Sequence, residues 1–102
     1  MKTFNERVYD LLRTVPLGKV TTYKELALAV HTKAYRAVGN AMRCNKDPVA
    51  IPCYKVVCSD GFVGNYSSPG GMNKKIMLLK NDGIIVEKNM IRDLERYLYR
   101  FR

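Results

Sequence analysis

Phe4, Val8, Leu11, Leu12 and Val15 fall at i, i+4, i+7, i+8 and i+11. That spacing places all five on one face of a helix and on no single face of a strand. It predicts a helix from about Phe4 to Thr14, stopped by Pro16 and Gly18. Thr22 and Glu25 then form a TxxE capping box. Tyr23, Leu26, Ala27 and Val30 continue at helical spacing, so a second helix is expected from near Thr22 to His31. The link Thr32-Lys33 leads to a third, roughly Ala34 to Arg43, with Ala34, Val38, Ala41 and Met42 on its apolar side. Gly39 inside it costs about 1 kcal/mol relative to alanine, which predicts close approach by another backbone. Two short helices with a tight connection predict a helix-turn-helix. A chain of 102 residues supports one core, so one domain over 1–102 is expected.

The remainder is more broken. Asn45 to Pro52 reads as irregular, and Lys55 to Cys58 as a short strand. Ser59-Asp60-Gly61 is a turn across which Phe62 to Tyr66 is expected to pair back as a small wing or hairpin. A loop at Ser67 to Gly71 precedes a helix capped by Asn73 and running to about Asn81, with Ile76, Met77 and Leu79 inward and Asp82-Gly83 as its stop. Ile84 to Val86 is an extended segment. A last helix, about Asn89 to Arg100, is expected to bury Met90, Ile91, Leu94, Leu98 and Phe101 and to carry Arg92, Arg96 and Arg100 on its outer side. The fold class is thus mostly α with a small β element: a single winged-helix-like helix-turn-helix domain.

Eighteen Lys and Arg against nine acids give a net charge of +9. Such a domain attracts polyanions, nucleic acid ahead of an anionic membrane surface. Lys33, Arg36 and Arg43 either face phosphate or form an ordinary solvated helix face. No apolar run approaches the roughly 18–20 residues of a membrane span, and the first ten residues lack a signal-peptide core. The three cysteines, an odd count without a secretory signal, fit free thiols in a reducing cytoplasm, nucleoid-associated in a prokaryote. With no CxxC and one histidine, His31, no metal site is expected. His31 has a simple role at a helix end, where a histidine suits the dipole.

Candidate chemistry concentrates in Ile51-Pro52-Cys53-Tyr54-Lys55-Val56-Val57. A proline can hold the following thiol at a fixed angle, and Lys55 nearby would favour the thiolate. The competing reading is an inert buried cysteine, which the residues alone favour, since free cysteine is among the most buried residue types. Cys44 and Cys58 read as bystanders.

Five segments in register shift that balance. They are Pro16 to Ala27 (PLGKVTTYKELA), Arg36 to Met42 (RAVGNAM), Ile51 to Val57 (IPCYKVV), Gly61 to Ser67 (GFVGNYS) and Lys75 to Leu79 (KIMLL). Their order and spacing resemble the DNA-binding and active-site domain of O6-alkylguanine-DNA alkyltransferases, over roughly Phe4 to Gly83. The N-terminal accessory domain of many members is not expected here. The resemblance implies minor-groove binding to double-stranded DNA containing O6-alkylguanine, by a monomer needing no cofactor and no membrane. Arg36 matches the arginine that fills the base stack, and Tyr23 the tyrosine that helps rotate the nucleotide. Lys33 and Arg43 are the further DNA-binding candidates. Flipping is required because an alkyl group inside a stacked duplex is out of a thiolate's reach. Asn45 matches a hinge asparagine, Met42 an apolar pocket wall, and Tyr66 and Ser67 the loop around the guanine. The carbonyls of Cys53 and Val56 match acceptors for the guanine amino group. Cys53 matches the acceptor nucleophile, giving a single-use enzyme, a methylated-DNA–protein-cysteine S-methyltransferase.

The family usually reads Pro-Cys-His-Arg where this chain reads Pro-Cys-Tyr-Lys. Its histidine relays a proton toward a glutamate, which aligns with Asp82. Tyr54 is a poor base near neutrality, with an ordinary pKa of about 10, although its hydroxyl could donate to a thiolate. Cys53, Tyr54, Asn45 and Asp82 are therefore the catalytic candidates. Slow transfer is expected. One alternative is a damage-sensing protein like the alkyltransferase-like proteins, which bind and flip without transfer. Another is a minor-groove DNA-binding module with no lesion preference.

Overall fold

A computed structural model describes residues 2–66 and 68–101. Helix α1 (Phe4–Arg13) opens with a full capping box, Thr3 and Glu6 each accepting the other's backbone N–H, and buries Val8 and Leu12. The Tyr9 hydroxyl donates to the Ala41 carbonyl at 2.7 Å, fastening α1 to the third helix. Helix α2 (Tyr23–Ala29) is capped by Thr22, whose hydroxyl accepts the Glu25 N–H at 3.0 Å. It ends two residues before the spacing predicts. His31 turns left-handed at φ 60°, and the N–H groups of His31 and Thr32 return to the carbonyls of Leu28 and Ala27. This is a Schellman closure with histidine in the place glycine usually takes. His31 therefore lies past the helix, not in its last turn. Helix α3 (Tyr35–Arg43) follows, and Leu26, Ala27, Val30, Val38, Ala41 and Met42 join α1 in one core.

Strand β1 (Thr21–Thr22) pairs in parallel with β2 (Val56–Val57), Thr21 opposite Val56 and Thr22 opposite Val57. Successive strand residues point to opposite faces. Val56 accordingly enters the helical core, while Val57 joins Val20, Val63, Leu79, Ile84, Val86, Ile91 and Tyr97 in a second cluster, so the single core expected from the chain length is divided at this ladder. The segment just before β2, which contains Cys53, sits at the seam between the two. The expected hairpin between Lys55–Cys58 and Phe62–Tyr66 is reduced to its turn: the Cys58 N–H donates to the Phe62 carbonyl and the Gly61 N–H to the Cys58 carbonyl, both at 2.9 Å, but no ladder follows. Gly61 and Gly64, at φ 98° and 80°, bend the chain toward residues 89–91. Phe62 bridges Met90 instead.

Helix α4 (Gly71–Asn81) begins after left-handed Gly70, so Asn73 lies inside it and caps nothing. Asp82 closes it, as the spacing predicts. Leu79 points inward, but Met77 is 46% exposed and Lys75 only 1%. The expected final helix over Asn89–Arg100 is mostly absent. Strands β3 (Val86–Glu87) and β4 (Met90–Ile91) pair antiparallel around Lys88-Asn89, both at positive φ as a two-residue mirror-type turn requires. Helix α5 is only Leu94–Tyr97. Arg92, Arg96 and Arg100 thus share no helical face: Arg92 pairs with Glu87, Arg96 lies over the Tyr97 ring, and Arg100 pairs with Glu95 and Glu25. No helix among the described residues is long and apolar enough to cross a membrane.

Candidate active site and nucleic-acid interface

Cys53 opens a short 3₁₀ turn, Cys53–Lys55, between Pro52 and β2, and is 7% exposed. Side chains from distant parts of the chain hold this turn. The Asn45 amide donates to the Ile51 carbonyl at 2.8 Å and its oxygen accepts the Asp47 N–H, so the residue tethers the loop that follows α3. The Tyr54 hydroxyl donates to Asp82 Oδ2 at 2.6 Å. The Lys55 ammonium donates to the carbonyls of Val15 and Pro16 at 3.0 and 3.2 Å. Lys75 Nζ donates to the carbonyl of Val56 at 2.7 Å and to that of Asn65 at 3.3 Å.

These bonds revise two expectations. Lys55 is committed to carbonyls just beyond α1 and is buried, which pulls its ammonium below the usual range. It ties the turn down instead of serving the thiol. Tyr54 aims its proton at Asp82 and not at Cys53. Burial first, then the bond to Asp82 and the carboxylate's charge, push the phenol well above its ordinary value.

Lys75 is the residue holding this site that sequence reasoning missed. Burial pushes its ammonium down to about 8, with the Cys58 and Cys53 thiols acting in the opposite direction. A side chain added at Gly64 would stand 3.5 Å from Lys75 Nζ, 3.6 Å from the Tyr23 hydroxyl and 3.8 Å from Cys58 Sγ. Those three groups therefore meet behind Gly64. The available signal was position: Lys75 lies one turn before Leu79 and on the same face.

Arg36, Gly39, Asn40 and Arg43 fall at i, i+3, i+4 and i+7 on α3 and line a cleft of about 560 Å³. Tyr23, Met42, Cys58, Phe62, Gly64 and Asn65 complete it. Gly39 meets no other backbone: a Cβ there would find nothing within 4 Å. The glycine leaves room in the cleft and does not pack a neighbour, because its free face is turned outward. Arg43 is steadied by Asn40 Oδ1 at 2.8 Å. Lys33 is exposed on the link before α3 but does not line the cleft.

The expected substrate-pocket residues separate. Met42 walls the cleft, whereas Tyr66 lines a second cavity of about 430 Å³ with Pro48, Val49, Tyr54 and Leu78. Val56 is fully buried in the core, its carbonyl already accepting Lys75. The Cys53 carbonyl accepts the Val56 N–H. A carbonyl has two lone pairs, so neither is closed to a second donor. Ser67 lies outside the described residues. Cys44 is exposed and Cys58 half-buried, its thiol raised chiefly by burial. Among the described residues, no group of three or more His, Cys, Asp or Glu gathers to hold a metal.

The chain matches the family described as "6-O-methylguanine DNA methyltransferase, DNA binding domain" over residues 3–84. It belongs to that family. The methylated-DNA–protein-cysteine methyltransferase of Homo sapiens is 50% identical over 84 residues, covering 80% of this chain and 40% of the relative. A bifunctional methyltransferase/endonuclease of Picrophilus torridus is 47% identical over 93 residues, covering 90% of this chain and 30% of the relative. The chain thus spans less than half the length of these curated relatives. Among solved structures, S. pombe Atl1 in complex with damaged DNA containing O6-carboxymethylguanine superposes with a TM-score of 0.83 at 26% identity, covering 98% of this chain and 99% of that one. The O6-methylguanine-DNA methyltransferase of Pyrococcus kodakaraensis gives 0.71 at 41% identity, covering 82% and 48%. This mostly helical alkyltransferase-type domain therefore has structural counterparts bearing both names.

Proposed function

We propose that this chain repairs O6-alkylguanine in double-stranded DNA by transferring the alkyl group to Cys53. The observation that carries this reading is the turn that holds Cys53, tied down by Asn45, Tyr54, Lys55 and Lys75, in the segment whose sequence resembles the family's acceptor motif; the cleft along the polar face of α3 is lined by Met42 and Cys58, with Cys53 buried outside its lining. Such restraint is what a nucleophile needs for in-line approach. The Cys53 thiolate attacks the alkyl carbon and a sulfur–carbon bond forms. The carbon–oxygen bond breaks, its electron pair leaves on the guanine oxygen, and the guanine takes a proton from solvent. The product thioether has no route back, so each molecule acts once.

Arg36 is the candidate for filling the stack after the target nucleotide rotates out through the minor groove, with Tyr23 beside it. Arg36 is exposed and, among the described residues, makes no hydrogen bond or ion pair, which leaves its guanidinium available to a duplex. Arg36→Ala is expected to weaken damaged-duplex binding about tenfold and to lower the slope of log affinity against log salt by about one. Anisotropy titrations at several salt concentrations measure both. Unchanged affinity and slope would remove Arg36 from the interface.

The test of the reading is mass spectrometry after incubation with a duplex carrying one O6-methylguanine. One methyl gained on the Cys53 peptide, with guanine restored, is the expected result. A second reading, damage sensing without transfer, is favoured by one observation: the Tyr54 phenol is raised and its proton is committed to Asp82, so Tyr54 supplies no base. Tight lesion binding with no methyl gain would select it.

A further inference from the structure

Tyr54 follows Cys53 directly, within one 3₁₀ turn, and its hydroxyl reaches Asp82 at 2.6 Å. Asp82 is itself fixed as the last cap of α4, its N–H bonded to the carbonyls of Leu78 and Leu79. Where the family has histidine and glutamate, this chain has a longer side chain facing a shorter one. A phenol extends beyond an imidazole, and aspartate is a methylene shorter than glutamate, so the two changes offset each other and the connection survives. What changes is its chemistry. Imidazole accepts a proton near neutrality, whereas a phenol that donates to a carboxylate does not. The raised phenol agrees with that geometry.

We propose that Tyr54 and Asp82 form a positioning latch for Cys53, in which Asp82 serves as a hydrogen-bond acceptor and not as the destination of the thiol proton. This rests on the reading of Cys53 as alkyl acceptor. The latch supplies the tie from the turn to the end of α4. Asn45 and Lys75 bind the backbone on either side of the turn, at Ile51 and Val56, and Lys55 ties the turn to the carbonyls of Val15 and Pro16. The same bond sets the Tyr54 ring, which walls the cavity that Tyr66 also lines. Tyr54 therefore acts through the placement of Cys53 and is a positioning residue.

The test uses the full chain as Tyr54→Phe, Asp82→Asn and Asp82→Ala. Asparagine keeps an oxygen where the Tyr54 hydroxyl needs one but cannot hold a proton as a carboxylate does. Two rates are read: methyl transfer from an O6-methylguanine duplex, and iodoacetamide labelling resolved on the Cys53 peptide. Asp82→Asn is expected to change far less than Asp82→Ala in both readouts, since a neutral acceptor keeps a weaker form of the bond. Tyr54→Phe and Asp82→Ala are expected to lose about tenfold in transfer and gain about tenfold in labelling, because a freed turn misplaces the thiol while exposing it. A purely structural weakening elsewhere would not separate asparagine from alanine. Transfer by Asp82→Asn falling as far as in Asp82→Ala would make the carboxylate a proton acceptor and overturn the latch. Unchanged labelling in Tyr54→Phe would do the same. If the parent transfers no methyl, the alkyl-acceptor reading fails by itself, and the labelling rates still decide the latch.

Discussion

Cys53→Ser is expected to keep affinity for an O6-methylguanine duplex within about twofold while removing all methyl transfer, because a serine hydroxyl without a neighbouring base is a far weaker nucleophile than a thiolate. The affinity should survive because the cleft is built by α3, Tyr23 and the residues around Gly64, not by Cys53. Serine is close to cysteine in size, so the core around position 53 is little disturbed. Intact-mass and peptide spectra read the transfer, and anisotropy reads the binding. Residual methylation of the variant on Cys58 or Cys44 would reassign the acceptor. A parallel loss of binding would mean that the thiol helps shape the cleft.

The second large effect is at Lys75. Its ammonium supplies donors to the carbonyls of Val56 and Asn65 from a position 1% exposed. Lys75→Ala should destabilise the fold by about 2–4 kcal/mol, combining a cavity with orphaned carbonyls. Urea unfolding measures it, and a change below about 0.5 kcal/mol would show that Lys75 is dispensable to the fold. The residue also dictates a pH dependence. Folded, Lys75 titrates at about 8, while an unfolded lysine titrates near 10.4. Between those values the unfolded chain binds a proton that the folded chain has released, so stability rises with pH through that window. Lys75→Met keeps the length of the side chain and removes the titration, and should flatten the rise between about pH 8 and 9.5, below tyrosine ionisation. An identical slope in parent and variant would contradict it.

The three N-terminal helices were legible because their signals are local: apolar spacing, the Thr22–Glu25 cap and the Pro16-Gly18 stop all act within a few residues. The parallel partner of β2 was not, because pairing Val56 with Thr21 joins segments far apart in sequence and leaves no local pattern. The C-terminal hairpin was misread for a different reason. Met90, Ile91, Leu94 and Leu98 imitate helical spacing, while the left-handed pair Lys88-Asn89 fixes a turn. Cys53, Asn45 and Asp82 were nameable as candidates from motif positions, and the structure brings all three to one turn and its ties. Lys75 was invisible because a lysine on a helix is taken as solvent-facing, and only tertiary carbonyls make its burial tolerable.

The ladder between β1 and β2 joins Thr22, the cap of α2, to Val57, just downstream of Cys53, through backbone groups alone. Nothing in that join depends on a sulfur atom. On the proposed reading, a molecule whose thiol had been spent would keep this framework, and a single substitution at position 53 would leave a duplex-binding domain without transfer. The proposed chemistry and the backbone scaffold would then be separable at one residue.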